Sequence, residues 1–214
     1  MDAIGPAELI RLFEAWRDVF AEQREFLIAL DGKVGDSDLG ITMSKSFAAA
    51  YDVVAAEGPQ AGLAKLLRSA GATMAKTAPS TMGTLAATGF LRGGKALEGA
   101  DAIGTHEAAA FWRAFAQGIM ERGKAKLGDK TILDVLDPIA RAFEAQAEAG
   151  APLGPALAAA TTAAEQALEA TKSMVAQHGK AAAFQEKSRG LQDAGATVGV
   201  LLIGTMRDVV QRGA

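Results

Sequence analysis

Apolar side chains recur every three or four positions along most of the chain, and glycine-containing breaks interrupt them. This spacing is typical of amphipathic helices. It predicts one long helix from Pro6 to about residue 30, followed by seven more: over about 40–56, over 60–76, up to 97, from 105, from 131, over 155–178 and from about 193 onward. Because no helix–strand alternation and no interdomain linker occurs, we expect an all-α, single-domain protein, an antiparallel bundle of about eight helices.

The composition agrees with a helical fold and narrows the functional classes. Half of the 214 residues are hydrophobic, and aromatic residues make up only 6%. A net charge of −3 gives no electrostatic basis for binding nucleic acid. The chain has no cysteine, its first residues lack a signal-peptide pattern, and its most apolar stretch, 197–206, is too short to span a bilayer. We therefore expect a cytoplasmic protein that binds neither nucleic acid nor membrane.

Four of the breaks between predicted helices carry unusual residues. They cover about 31–40, 77–83, 123–131 and 179–195, and they follow the first, third, fifth and seventh helices. In an up-and-down bundle, alternate connections lie at the same end. Because each of the four loops follows an odd-numbered helix, they are predicted to lie at the same end of the bundle and to form one site.

The first of these loops carries three carboxylates, Asp31, Asp36 and Asp38, with glycines between and after them. Clustered oxygen ligands without cysteine or a nearby histidine favour magnesium or calcium over zinc. The calcium-loop pattern fails, because Gly40 stands where its third acid or amide belongs and Phe47 where its glutamate belongs. Magnesium completes its coordination with water and phosphate oxygens, so a nucleotide phosphate is the natural partner. A solvated loop with capping aspartates is the alternative.

The other three loops have ordinary explanations as well as functional ones. Ser80 and Thr81 are placed to cap a helix, and Asp193 to cap the last one, while Thr105 is expected to cap the fifth. The lysines of 123–131 would serve a phosphate or ribose, or would simply be solvated. His106 is expected on the surface of a first helical turn.

These same loops resemble the L subunit of bacterial dihydroxyacetone kinase, the nucleotide-binding subunit, which is similar to the C-terminal domain of single-chain dihydroxyacetone kinases. The family motifs are D-x-x-x-G-D-x-D-H-G, G-G-x-S-G-P-L, G-K-A-x-x-G-D-K-T-M-x-D and S-x-G-H-x-D-P-G-A. Their counterparts here are D-G-K-V-G-D-S-D-L-G at 31–40, S-T-M-G-T-L at 80–85, G-K-A-K-L-G-D-K-T-I-L-D at 123–134 and S-R-G-L-Q-D-A-G-A at 188–196. The resemblance spans nearly the whole chain in order.

The resemblance implies an eight-helix antiparallel barrel that holds ADP or ATP at one mouth. It implies that Asp31, Asp36 and Asp38 bind two magnesium ions that bridge the phosphates. It further implies two groups of nucleotide contacts: at the phosphates Leu39, Gly40, Ile41, Thr42, Thr81 and Met82, and at base and ribose Gly123, Ile132, Lys180, Asp193, Ala194 and Gly195.

Four positions depart from the family pattern. Leu39 and Leu191 replace histidines, Met82 replaces a small residue in the phosphate loop, and Ala194 replaces a proline. The three aspartates are retained, so the resemblance supports metal–nucleotide binding more strongly than it supports any one substrate.

By this resemblance, the chain is a phosphotransferase subunit of a dihydroxyacetone (glycerone) kinase or a related short-ketose kinase. A separate K subunit would hold the ketose on its own histidine, so neither His106 nor His178 is expected to be a nucleophile. The phosphoryl donor would be ATP or a phosphotransferase-system protein that recharges bound ADP. The alternatives are a nucleotide-sensing regulatory subunit and a helical scaffold without metal dependence. A homodimer is compatible with each.

Overall fold

The computed structural model describes residues 2–213, and nine α-helices form this part of the chain. They are α1 (Pro6–Glu22), α2 (Arg24–Asp31), α3 (Leu39–Glu57), α4 (Leu63–Thr77), α5 (Thr81–Ala96), α6 (Thr105–Gly123), α7 (Leu133–Glu148), α8 (Leu153–Ala170) and α9 (Ala194–Arg212). Short 3₁₀ segments occupy Pro59–Ala61, Thr171–Ser173 and Lys180–Ser188. The only β pairing among the described residues is an isolated bridge between Ile4 and Ile103.

The helices close into a ring. Consecutive helices from α3 to α9 pack against each other, and α1 packs against both α3 and α9. Helix α2 follows α1 after a bend. If these two helices are counted as one element, eight helical elements surround one core. The predicted all-α, single-domain antiparallel fold is confirmed.

Two predicted boundaries are corrected by tertiary contacts. The first helix is interrupted at Gln23, which lets α2 turn onto α3. Helix α8 ends at Ala170, eight residues before the predicted end. It ends there because the carbonyl of Thr171 accepts a hydrogen bond from the Lys130 ammonium, while the Thr171 hydroxyl donates to the carbonyl of Leu168.

The cap of α6 also differs from the prediction. Gly104 is the capping residue, and the Glu107 carboxylate accepts a hydrogen bond from the Gly104 N–H at 3.0 Å. The Thr105 hydroxyl instead donates to the carbonyl of Ala151 at 2.7 Å, which ties α6 to the start of α8.

The core is built around a continuous cluster of buried aromatic rings. Phe20 and Phe47 stack with centroids 4.4 Å apart, and Trp16 packs edge-on against Phe47 and Phe90. The Trp16 indole N–H donates to the carbonyl of Leu202 at 3.0 Å, so α1 is hydrogen-bonded to α9 where the ring closes. No helix within residues 2–213 has the length and apolar character needed to cross a bilayer.

Glycines in α5 allow the aromatic rings of α6 to approach its backbone. A Cβ added at Gly89 would lie 2.5 Å from Cζ of Phe115, which is shorter than the nonbonded contacts that Cβ atoms make in proteins. Because Phe115 is fully surrounded by other core residues, its ring has little room to move away.

We predict that Gly89→Ala destabilises the fold by about 1–3 kcal/mol, because the added methyl overpacks the α5–α6 contact. The matched control is Gly204→Ala in α9, where a Cβ would meet nothing within 4 Å. The control should gain up to about 1 kcal/mol from the lower helix propensity of glycine. Urea unfolding checks both values, and equal stabilities of the two variants would contradict the packing argument.

Candidate functional site: an acidic cleft at four helix N-termini

One cleft, with a volume of about 240 Å³, lies at the end of the barrel where the four unusual loops meet. The first residues of α3, α5, α7 and α9 all line it: Leu39, Thr81, Leu133 and Ala194. The predicted gathering of the four loops at one end is therefore confirmed.

The four helix starts give the cleft an electropositive backbone. The first turn of each helix has N–H groups without intrahelical acceptors, and the helix dipole adds a partial positive charge there. Side chains satisfy some of these groups. As predicted, Ser80 Oγ accepts from the Gly83 N–H at 3.1 Å, and Asp193 Oδ2 accepts from the Ala196 N–H at 2.7 Å. Such a convergence favours an anion such as a phosphate.

Three carboxylates face this positive backbone from the α2–α3 loop. Oxygens of Asp31, Asp36 and Asp38 lie within 4.8 Å of one another. Asp31 Oδ2 also accepts hydrogen bonds from the N–H groups of Asp38 and Leu39, at 3.0 and 3.4 Å, so the first aspartate fixes the start of α3. The loop turns through Ser37, whose φ of 61° is left-handed.

The electrostatics of this cluster favour a cation. Partial burial, together with the charges of Asp36 and Asp31, raises the pKa of Asp38 above its ordinary value. A hydrogen bond from Lys180 lowers the pKa of Asp36, and the Lys180 Nζ lies 2.6 Å from Asp36 Oδ2. Three nearby carboxylates with one lysine leave an excess of negative charge that a divalent ion would offset.

Most residues implicated by the sequence do line the cleft. Besides the three aspartates, these are Leu39, Thr81, Met82, Gly123, Ile132, Lys180, Asp193, Ala194 and Gly195. Lys180 lies on the carboxylate side, through its contact with Asp36.

Gly40, Ile41 and Thr42 are not among the lining residues, although the resemblance implied phosphate contacts for them. A Cβ at Gly40 would overlap the carbonyl oxygen of Arg24, so this glycine permits α2 and α3 to touch. The Thr42 hydroxyl donates to Ser80 Oγ at 3.2 Å, which joins the starts of α3 and α5 behind the cleft.

Sequence reasoning missed an apolar wall of the cleft. Leu85, Ile119 and Ala125 line it beside Met82 and Ile132. Leu85 and Ile119 have the spacing of ordinary core residues along α5 and α6, and Ala125 lies just after α6, so periodicity does not separate them from the core. An apolar wall beside polar groups is typical of a site for a flat organic ring.

A buried lysine forms the floor beside Asp193. Lys130 was predicted to lie in a ligand-binding or solvated loop, but its ammonium donates to the carbonyls of Thr171 and Leu191, each at 2.6 Å. Burial lowers the pKa of Lys130. Burial also raises the pKa of Asp193 to about 6, against the opposing effects of the Ala196 N–H and the Lys130 charge.

The two histidines differ in position. His178 lines the cleft, and its Nε2 lies 3.0 Å from Asp129 Oδ2. His106 is exposed in the first turn of α6, as predicted.

Comparisons with known proteins agree with this fold. A family model described as the DAK2 domain matches residues 33–208. The ADP-binding subunit DhaL of the PEP-dependent dihydroxyacetone kinase of Escherichia coli (strain K12) is 32% identical over 195 residues, which cover 91% of this chain and 92% of that protein. The L-erythrulose kinase of Pectobacterium atrosepticum is 33% identical over 183 residues, covering 85% of this chain but 31% of the kinase.

The crystal structure of the dihydroxyacetone kinase from C. freundii, in complex with AMP-PNP and Mg²⁺, has the same fold, with a TM-score of 0.72 at 24% identity. It is matched over 93% of this chain and 33% of the crystallised one. The fold and these relatives show that the chain is a helical domain related to kinases. The chain belongs to the DAK2 domain family.

We predict that Asp193 makes stability fall as pH rises from about 4 to 6. Its folded pKa of about 6 lies above the value of about 3.9 in an unfolded chain, so the folded state binds the extra proton within this window. Asp193→Asn keeps a capping oxygen but cannot ionise. Its stability relative to the wild type should therefore increase by about 2 kcal/mol between pH 4 and pH 7.

Urea unfolding of both proteins across this range measures the effect, and taking the difference cancels the other carboxylates. A difference that stays constant with pH would show that the Asp193 carboxyl titrates normally.

Proposed function

We propose that this chain is the nucleotide-binding subunit of a dihydroxyacetone (glycerone) kinase or a related short-ketose kinase. It would bind ADP or ATP with two Mg²⁺ ions in the cleft and deliver a phosphoryl group to a ketose held on a separate K-like subunit. The observation that carries this proposal is that three converging carboxylates and four helix N-termini line one cleft.

The residues of the cluster fit magnesium. Asp31, Asp36 and Asp38 offer hard carboxylate oxygens, and all three side chains retain some solvent exposure, which leaves room for water and phosphate oxygens. When bound, Mg²⁺ would neutralise and align phosphate charge during transfer. The chain's own contribution is positional: the Asp31 carboxylate accepts from the N–H groups of Asp38 and Leu39 and so holds the start of α3 at the edge of the cleft.

The rest of the cleft fits a nucleoside. The apolar wall of Leu85, Ile119 and Ile132 suits a base, while Asp193 and the backbone at Gly195 suit ribose hydroxyls. A Cβ at Gly195 would lie 3.0 Å from Cε of Met82, so a larger side chain there would crowd the cleft.

The relatives support a two-subunit enzyme and leave two short ketoses as candidate acceptors. The E. coli relative is an ADP-binding subunit that matches this chain nearly end to end, whereas the erythrulose kinase is about three times as long as the matched part. Because the E. coli relative is described as a subunit, we infer that a K-like subunit supplies the ketose site. We also infer that the donor is a phosphotransferase-system protein that recharges bound ADP, since the E. coli relative is PEP-dependent.

We predict that ADP binds only in the presence of magnesium and that Asp36→Ala weakens this binding at least about tenfold, because one cluster ligand is lost. The matched control is Asp52→Ala, an exposed aspartate on α3 away from the cluster, which should bind normally. Isothermal titration measures each. ADP binding without metal, or an equal loss of affinity in both variants, would contradict the assigned metal site. If the protein binds ADP but transfers no phosphoryl group in the presence of a K-like partner, the regulatory alternative would be favoured.

We predict that Gly35→Ala also weakens metal binding at least about tenfold, because the new methyl would overlap the Asp31 carboxylate and lie 2.7 Å from the Asp31 carbonyl oxygen. Gly154→Ala is the control, since a Cβ there meets nothing within 4 Å. Titration with Mn²⁺ measures the affinities, and circular dichroism shows that both variants fold. Unchanged Mn²⁺ affinity in Gly35→Ala would mean that Asp31 is not a ligand.

A further inference from the structure

The segment 174–193, between the 3₁₀ turn after α8 and the start of α9, borders the cleft. Its two ends are tied to each other and to the barrel. The buried Ser188 hydroxyl accepts from the Ala176 N–H at 2.9 Å, the Gly190 N–H donates to the Lys172 carbonyl at 2.7 Å, and the Leu191 carbonyl accepts from Lys130. The base of the segment is therefore fixed.

The tip of this segment, residues 179–187, is held much less firmly. Most of its side chains are exposed, including Phe184, and Gln185 has a φ of 47° and a ψ of −126° that side chains rarely adopt. Among the hydrogen bonds and ion pairs of residues 2–213, the Lys180–Asp36 pair is the one that joins the tip to another element. Ala181, beside it, lines the cleft.

The partner of Lys180 belongs to the carboxylate cluster itself. The same Asp36 side chain offers an oxygen within 4.8 Å of oxygens from Asp31 and Asp38. The ammonium, 2.6 Å from Asp36, thus supplies a positive charge at the cluster that a metal ion would otherwise supply. One carboxylate oxygen cannot keep this full ion pair and also coordinate a cation without weakening one of the two contacts.

We propose that Lys180 is a built-in counter-ion of the carboxylate cluster, which a divalent cation must displace, so that cation binding releases the tip from the aspartate loop. This inference rests on the metal site of the proposed function. It makes the position of the tip dependent on metal loading, and by linkage it lowers the affinity of the cluster for metal. The nucleotide would then meet a cleft whose tip is already released.

The first test is titration of the nucleotide-free protein with Mn²⁺ alone. Lys180→Met should bind Mn²⁺ about two- to fivefold more tightly than the wild type, the range that an exposed ion pair supports, and the difference should shrink in high salt. Lys187→Met, an exposed lysine on the same tip, should match the wild type. Equal or weaker binding by Lys180→Met would overturn the proposal.

The second test separates displacement from simple charge repulsion. Hydrogen exchange of amides 180–187 should accelerate when Mn²⁺ is added to the wild type or to Lys187→Met. In Lys180→Met it should already be fast and should not respond. Exchange that is unchanged or slowed by Mn²⁺ in the wild type, while Mn²⁺ still binds, would overturn this inference alone. Absence of Mn²⁺ binding in all three proteins would overturn the metal site of the proposed function, and this inference with it.

Discussion

Antiparallel packing of helices joined by short connections is the constraint on which this site depends. Because each helix reverses the direction of the one before it, the starts of α3, α5, α7 and α9 fall at the same end of the barrel. The ring must also close, and the α1–α9 contact with its Trp16–Leu202 hydrogen bond does this. Without closure the four helix starts would splay apart, and no cleft would join the aspartate loop to Asp193.

The cleft brings opposite charges together. The helix starts attract an anion, while the carboxylate cluster repels one unless a cation lies between them. A phosphate accompanied by a divalent metal satisfies both charges, which is why the site suits a metal–nucleotide better than either component alone. Lys130 beside Asp193 is almost completely buried, whereas Asp36 and Asp38 are exposed, so the cleft is closed to water at its floor and open at its mouth.

The departures from the family pattern have structural explanations at three positions. Leu191 contributes its carbonyl to Lys130, a role that any residue can fill. Ala194 is the first residue of α9, where proline is favoured but alanine also fits. Leu39 donates its backbone N–H to Asp31 and buries its side chain, so the start of α3 is kept although a polar side chain is lost. Met82 narrows the cleft near Gly195.

Local features were predictable from the chain alone because they depend on neighbouring residues. The apolar stripes of the helices, the Ser80 and Asp193 caps and the clustered aspartates are features of this kind. Because alternate loops of an antiparallel bundle lie at the same end, the order of the helices also predicted that these loops form one site. The bend at Gln23, the early end of α8, the burial of Lys130, the apolar wall and the Lys180–Asp36 pair were not predictable. Each depends on groups far apart in sequence, such as Lys130 and Thr171, and only packing determines which of them meet.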